Sequence, residues 1–222
     1  MERHFEEDLR RLENRFLTMG ELVCAAIHGC IQGLQHQDEA MAMEVVDRIE
    51  PDVNALHREV DDLGMDLLTL QHPVASDLRL VTAIMKCNRD LERMSDRAVN
   101  VALRVVSILS RPPAYQVVDM TKMGEAVEAM ARDTLDAFKR RDNHLAIDVL
   151  RRDSEVDRCR DNVFQDLLAE MKTDSELINN GVDLILISRN FERIADHATN
   201  IAESVVFLVL GRDIGHLAEG LR

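Results

Sequence analysis

Apolar residues recur along most of this chain at alternating steps of three and four, the spacing that gathers side chains on one stripe of an α-helix. The first stripe runs Phe5, Leu9, Leu12, Phe16, Met19, Val23, Ala26 and Cys30 and predicts a helix ending near Gly33. Asp38 is placed to cap a second helix, whose stripe is Val46, Ile49, Val53, Leu56, Val60, Leu63, Leu67 and Leu70. The turn Gln71-His72-Pro73 stops it. A third stripe carries Ile84, Cys87, Leu91, Met94, Ala98, Val101, Val105 and Ile108, until Arg111-Pro112-Pro113 breaks the helix.

The second half repeats this plan. Met120, Met123, Val127 and Met130 predict a fourth helix, and a fifth spans about Asn143 to Met171. The sixth has Leu184, Ile187, Phe191, Ile194, Ala198, Ile201, Val205 and Leu208, the third stripe displaced by one hundred residues. At the heart of these two helices the repeat is one of identity: Arg89 to Ala102 read RDLERMSDRAVNVA and Arg189 to Ala202 read RNFERIADHATNIA. Met19-Gly20-Glu21 likewise recurs as Met123-Gly124-Glu125. The offset drifts from 104 to 100, which puts a length change before the sixth helix, and Thr173-x-x-Glu176 reads as a capping box opening it. The expected fold is all-α, an internal duplication of two tandem three-helix bundles with six long antiparallel helices. Residues 1–112 form the first unit and 113–222 the second, with the junction at Arg111 to Gln116. Periodicity does not set whether the bundles lie end to end or side by side.

Composition agrees with helices and narrows the partners. The 222 residues include one Tyr, no Trp and nine Gly, too few turn and strand residues for a sheet protein. A net charge of −14 repels phosphate backbones and anionic headgroups, so neither nucleic acid nor a membrane surface is an expected partner. Cys24, Cys30, Cys87 and Cys159 make no CxxC pair, and Cys87 and Cys159 fall at apolar positions, as buried thiols of a reducing cytoplasm do. The first residues, MERHFEEDLRR, carry charges where a signal peptide needs an apolar core, and no apolar run is expected to approach a membrane span. The expected location is cytosolic, without membrane insertion.

The chemistry lies in the carboxylates of the repeat. Glu92 and Asp96 are four apart and share a helix face, as do Glu192 and Asp196. An antiparallel hairpin turning near residue 72 brings Glu50 and Asn54 level with the first pair. The turn near residue 174 sets Asp153 and Asp157 beside the second. Crowded carboxylates have raised pKa values or hold a cation, and an oxygen-rich set without cysteine suits Mg²⁺, Ca²⁺, Mn²⁺ or iron. The alternative is a solvated face, salt-bridged to Arg89, Arg93 and Arg97. His197 is either solvated or one further ligand, and its first-half counterpart is Arg97. Pro51 beside Glu50 marks a kink or a helix restarting there.

With the repeat, both carboxylate pairs and the turn QHPVASDLR at Gln71 to Arg79 in view, the chain resembles the PhoU family of bacterial phosphate-signalling regulators over nearly its whole length. LERMSDRAVNVA at Leu91 to Ala102, FERIADHATNIAE at Phe191 to Glu203 and GRDIGH at Gly211 to His216 carry the resemblance further. It implies two three-helix bundles related by pseudo-twofold symmetry, with acidic pairs able to bind metal. The implied ligands are Glu50, Glu92 and Asp96 in the first half and Asp153, Asp157, Glu192 and Asp196 in the second, while Asn54 departs from the acidic pattern. The metal expected is iron, zinc, manganese or nickel, with magnesium or calcium also compatible. The implied role is negative regulation of the phosphate-starvation response, by a homodimer linking the ATPase subunit of a phosphate ABC transporter to a sensor histidine kinase at the inner membrane. Two rivals stand beside this non-enzymatic adaptor. One is a purely structural helical scaffold; the other is a di-metal carboxylate enzyme, which normally needs Glu-x-x-His, and no histidine here has a glutamate three residues before it.

Overall fold

The computed structural model describes residues 2–111 and 120–211, and its long segments are all helical: α1 (Glu2–His36), α2 (Glu39–Glu44), α3 (Glu50–Asp66), α4 (Ala75–Leu109), α5 (Met120–Arg140), α6 (Asn143–Thr173) and α7 (Ile178–Leu210). α2 and α3 form one rod, so the six long helices of the duplicated plan are all present. They join through a π-helical turn at Val45–Ile49, in which the Glu50 N–H bonds the Val45 carbonyl. Pro51 explains this turn, because its ring would clash with the carbonyl four residues back and its nitrogen donates nothing, so the helix widens before restarting.

Equivalent caps mark the first turn within each repeat. Asp38 accepts from the N–H groups of Ala40 and Met41, and Asp142 from those of His144 and Leu145. The residues before these caps, Gln37 and Arg141, are left-handed at φ 53° and 55°. Asp38 then donates back to the Gly33 carbonyl, and Asp142 to that of Ala137. Helix α1 thus runs past Gly33. That glycine instead serves close packing, since a Cβ there would meet the Ala42 nitrogen and the Asp38 carbonyl oxygen at 3.2 Å. The expected capping box at Thr173 is absent: the Thr173 hydroxyl donates to Glu170, and Asp174 caps a short 3₁₀ turn, Ser175–Leu177, before α7. Pro112 and Pro113, and all of the expected junction except Arg111, lie outside the described residues.

The two halves lie side by side. α1, α4, α7 and α5 close a four-helix centre, with the α2–α3 rod packed outside on α1 and α4, and α6 outside on α5 and α7. The α4 and α7 stripes are buried except for half-buried Ile108 and Leu208, and one apolar core runs through both halves. The two helices run antiparallel, since Asp90 meets His197 and Asn200 while Arg104 and Ser107 meet Asp183. Buried Asp183 also accepts from Arg111, which fastens the end of α4 to the start of α7. The rod contributes a narrower stripe: Val53, Val60 and Leu67 are buried, but Leu70, within a second π turn at Leu67–Gln71, is 73% exposed.

The α1–α5 contact obeys the duplication residue by residue. A Cβ on Gly20 would fall 2.5 Å from the Leu135 side chain, and one on Gly124 would fall 2.8 Å from Ile31. Both glycines and both partners are related by the 104-residue offset, so the close approach is made twice around one pseudo-twofold axis. Phe16 and Phe138 stack tilted beside it at 4.7 Å, and Arg141 lies over Phe138 while bonding Glu13 at 2.6 Å.

Two earlier expectations need correction. An 18-residue window within His4–His36 reaches a mean hydropathy of 1.3, so α1 is long and apolar enough by composition to span a membrane; 56% of that window is buried inside the protein, where its stripe forms core. Cys159 is only half-buried, at the edge of the α6 face, whereas Cys24, Cys30 and Cys87 are buried, and burial pushes each of these thiols up to about 12. Under native conditions Cys159 should therefore react first with a thiol reagent, the others only on unfolding; four equal rates would contradict this packing. Gly124→Val should lower stability by about 1–3 kcal/mol through overpacking against Ile31 and Phe191, read as a lower urea midpoint at unchanged slope.

Candidate functional site

The site begins with helix register. Asn88 of α4 donates to the His57 carbonyl at 3.0 Å and to Asp61 at 2.8 Å on α3, and one turn further along, this pairing sets Glu50 and Asn54 level with Glu92 and Asp96. In the second half Arg160 reaches from α6 to Glu192 on α7 at 2.9 Å and also holds Asp157, which brings Asp157 beside Glu192 and Asp196.

The two sets are wired differently. In the second, Arg160 bonds Asp157 at 3.1 Å and Glu192 at 2.9 Å, while Arg193 lies 3.5 Å from Glu192 and 2.8 Å from Asp196. Two guanidiniums thus stitch three carboxylates together, and Asp153 is buried on the α6 side. Among the described residues no three or more His, Cys, Asp or Glu side chains converge as a preformed metal cage. In the first, Asn54 donates to Glu50 at 2.9 Å, Glu92 is half-buried and Asp96 exposed. No described ion pair joins Arg93 to Asp96, although the equivalent Arg193–Asp196 pair forms. The Nε of Arg97 is buried with no hydrogen-bond partner.

Burial is the main reason that Glu192 is raised above the ordinary carboxylate range; Asp196 and Asp157 push the same way, while Arg193 and Arg160 oppose them. A carboxyl that holds its proton more tightly folded than unfolded makes the protein lose stability as pH rises from its unfolded pKa through the raised value. Glu192→Gln should consequently be at least as stable as the parent at pH 7, with any advantage vanishing as pH falls below the ordinary carboxylate range. Melting curves across that range check it, and a variant weakened most at neutral pH would contradict the sign.

His197 does not join this site. Its Nδ1 lies 2.9 Å from Asp90 on α4, both side chains are 14% exposed, and Asn200 donates to the same Asp90 oxygen at 3.2 Å. It belongs to the contact between halves, which sequence reasoning within one half does not reveal. Arg160 and Arg193 were missed as counter-ions, although Asp157 and Arg160, like Arg193 and Asp196, stand at the i, i+3 spacing that signals such pairs.

Comparison with known proteins extends over the same framework. The PhoU domain profile matches residues 16–105 and 120–205, once in each half. The chain is similar to a protein of Zymomonas mobilis named a phosphate-specific transport system accessory protein PhoU homolog, 38% identical with 97% of this chain and 91% of that one covered. A Pseudomonas aeruginosa protein of the same name is 35% identical over 96% of this chain and 88% of its own. Among solved structures, PhoU from Pseudomonas aeruginosa superposes with a TM-score of 0.90 at 34% identity, covering 94% of this chain and 100% of that one. The phosphate transport system regulatory protein PhoU from Streptococcus pneumoniae does so with a TM-score of 0.85 at 30% identity, covering 94% and 98%.

Proposed function

The chain belongs to the PhoU domain family, and from that membership we propose that it is an accessory protein of phosphate transport acting as a negative regulator of the phosphate-starvation response. It works as a non-enzymatic adaptor between the ATPase subunit of a phosphate ABC transporter and a sensor histidine kinase. It is a cytoplasmic homodimer held near the inner membrane by those partners. Full-length similarity to accessory proteins of phosphate-specific transport carries this reading. The long charged helix faces fit it, because rigid rods presenting mixed charge suit docking that is steered electrostatically.

The carboxylates are the part of the proposal that concerns metal. Asp157, Glu192 and Asp196 lie within reach of shared guanidiniums, with Asp153 buried on the same side, so their donor chemistry fits a hard or borderline divalent cation, from magnesium, calcium or manganese to iron, zinc or nickel. Such an ion would neutralise the cluster and tie α6 to α7. Arg160 already does both and Arg193 neutralises Glu192 and Asp196, so the two compete for the same oxygens and must yield first. Glu50, Glu92 and Asp96, with Asn54 neutral, make the weaker set. The guanidinium network also favours one second reading, a salt-bridged scaffold whose acidic faces hold no metal.

Elemental analysis of untagged protein purified without chelator, beside a Glu192→Gln, Asp196→Asn variant, separates the two. Near-stoichiometric metal that the variant loses is expected, as is weaker capture by the kinase cytoplasmic region or the ATPase subunit at unchanged helicity. Metal-free parent protein that the variant matches in capture would sink the metal proposal, and failure of the parent to capture either partner would sink the adaptor.

A further inference from the structure

The two hairpin turns have not stayed alike. Where α6 gives way to α7 the turn is polar, Thr173-Asp174-Ser175-Glu176. The turn from the rod to α4 is three residues longer, and at the positions of Thr173 and Asp174 it carries Leu70 and Val74, 73% and 72% exposed. Met65, five residues before Leu70 on the rod, is 54% exposed. These are the three most exposed large apolar side chains among the described residues, and all belong to this tip. A contiguous exposed apolar patch of this kind marks a contact surface, whereas isolated exposed residues do not.

The patch is shaped and held in place. Leu70 and Val74 line a cleft of about 550 Å³ together with Phe5 of α1, His72, Pro73 and Asp77. His4, also in the lining, lies 3.8 Å from Glu7. Gln71 donates to Asp8 on α1 at 2.7 Å, which fixes the turn against the start of that helix.

Behind the tip the rod is acidic. Residues 45–71 hold seven Asp and Glu against two Arg, a net charge of −5, whereas α6 has seven acids against five Lys and Arg, a net charge of −2. Part of the rod's charge is balanced by its neighbours: Glu59 takes Arg11 and Arg15, and Asp61 lies beside His57 in the cleft that also holds Lys86 and Arg89. Arg48 in turn is spent on Glu44 of α2. Asp47, Asp52, Asp62 and Asp66 are all exposed, and no side-chain hydrogen bond or ion pair engages them among the described residues. Setting unpaired Arg58 of the rod and Arg79 of α4 against these four and Asp77 leaves three carboxylates in excess. Asp66 and Asp62 stand four and eight residues before Leu70, on the exposed stripe that leads to the tip.

We propose that this tip is a docking surface for a basic amphipathic helix of a protein partner, with apolar residues seated on Leu70 and Val74 and Lys or Arg side chains against Asp62 and Asp66. Within the adaptor reading, on which this rests, the tip supplies the contact and the chemistry of what it contacts. An amphipathic helix offers apolar anchors and a charged flank one turn apart, the spacing of Asp62, Asp66 and Leu70. A lipid surface suits the tip less, because the same carboxylates repel anionic headgroups. Tip-to-tip pairing with a second copy would likewise set one acidic rod against another.

The test is titration of the full chain into a fluorescein-labelled helical peptide of Leu and Lys, and into a Leu/Glu peptide of the same pattern, read by anisotropy. Saturable binding of the Leu/Lys peptide with Kd of about 100 μM or tighter, weakening with added salt, is expected, with none of the Leu/Glu peptide. Leu70→Ser with Val74→Ser should weaken it about tenfold or more, and Asp62→Asn with Asp66→Asn about threefold or more, at unchanged circular dichroism. Glu155→Gln with Asp166→Asn removes the same charge from exposed positions of α6, beyond the screening length, and should change Kd by less than about twofold. Equal binding of the two peptides, or an equal loss in the α6 variant, overturns the proposal. So does tip-dependent binding to phosphatidylcholine vesicles, or a dimer that Leu70→Ser with Val74→Ser makes monomeric, because the occupant is then lipid or a second copy. Both tip variants should also lose capture of the ATPase subunit or the kinase region. If the parent captures a partner and the tip variants capture it equally, the docking surface fails and the adaptor stands. If the parent captures neither, the adaptor fails, and the peptide titration still decides the surface.

Discussion

The packing of α4 against α7 is the constraint on which the rest of the molecule depends. Two helices of more than thirty residues bury matching apolar stripes, with Ile84, Leu91, Met94 and Val101 from one side and Leu184, Phe191, Ile194 and Ile201 from the other all at 1% exposure or less. Each such side chain contributes roughly 1.5–3 kcal/mol on leaving water. Because these stripes must face inward, Glu92, Asp96, Glu192 and Asp196 are turned away from the core, toward the flanking rod and α6. The same packing fixes their height, at the level where Asp90 meets His197.

Around that common frame the two hairpins have diverged through a few charged positions. Asn54 stands where the second half has Asp157, His57 where it has Arg160, and Arg97 where it has His197. The second half consequently holds more negative charge and more built-in counter-charge, and its carboxylates are bound into a network. The first half has a weaker acidic set and a buried guanidinium nitrogen without a partner. Two carboxylate sets of one origin therefore differ in how far their charge is already balanced by neighbouring guanidiniums.

The helices were legible in the sequence because burial of one face imposes a 3.6-residue period, and Val53, Phe16 or Ile194 could not be elsewhere in that period without being exposed. The hairpin pairing was legible for a simpler reason: a short turn fixes the register of an antiparallel pair. What escaped was set by contacts outside that period. Pro51 opened a π turn through a clash with a carbonyl, and Leu70 fell out of its stripe within another. The partner of His197, Asp90, was not foreseen because the face that meets the other half is chosen by tertiary packing. Arg160 was overlooked because its reach to Glu192 depends on side-chain conformation, which spacing does not encode.

The reciprocal contacts of Gly20 with Leu135 and Gly124 with Ile31 have an evolutionary reading. Contacts that exchange partners in this way are those of an isologous interface, in which the same patch serves both subunits of a twofold dimer. One repeat on its own would present a bare α4 face and a glycine-notched α1 to an identical copy, and the copy would fit. The chain is therefore built like a dimer whose subunits have been fused. Fusion frees the two halves to mutate separately, so that a residue such as Asp183 can clasp Arg104 and Arg111 while its counterpart is merely Ala83.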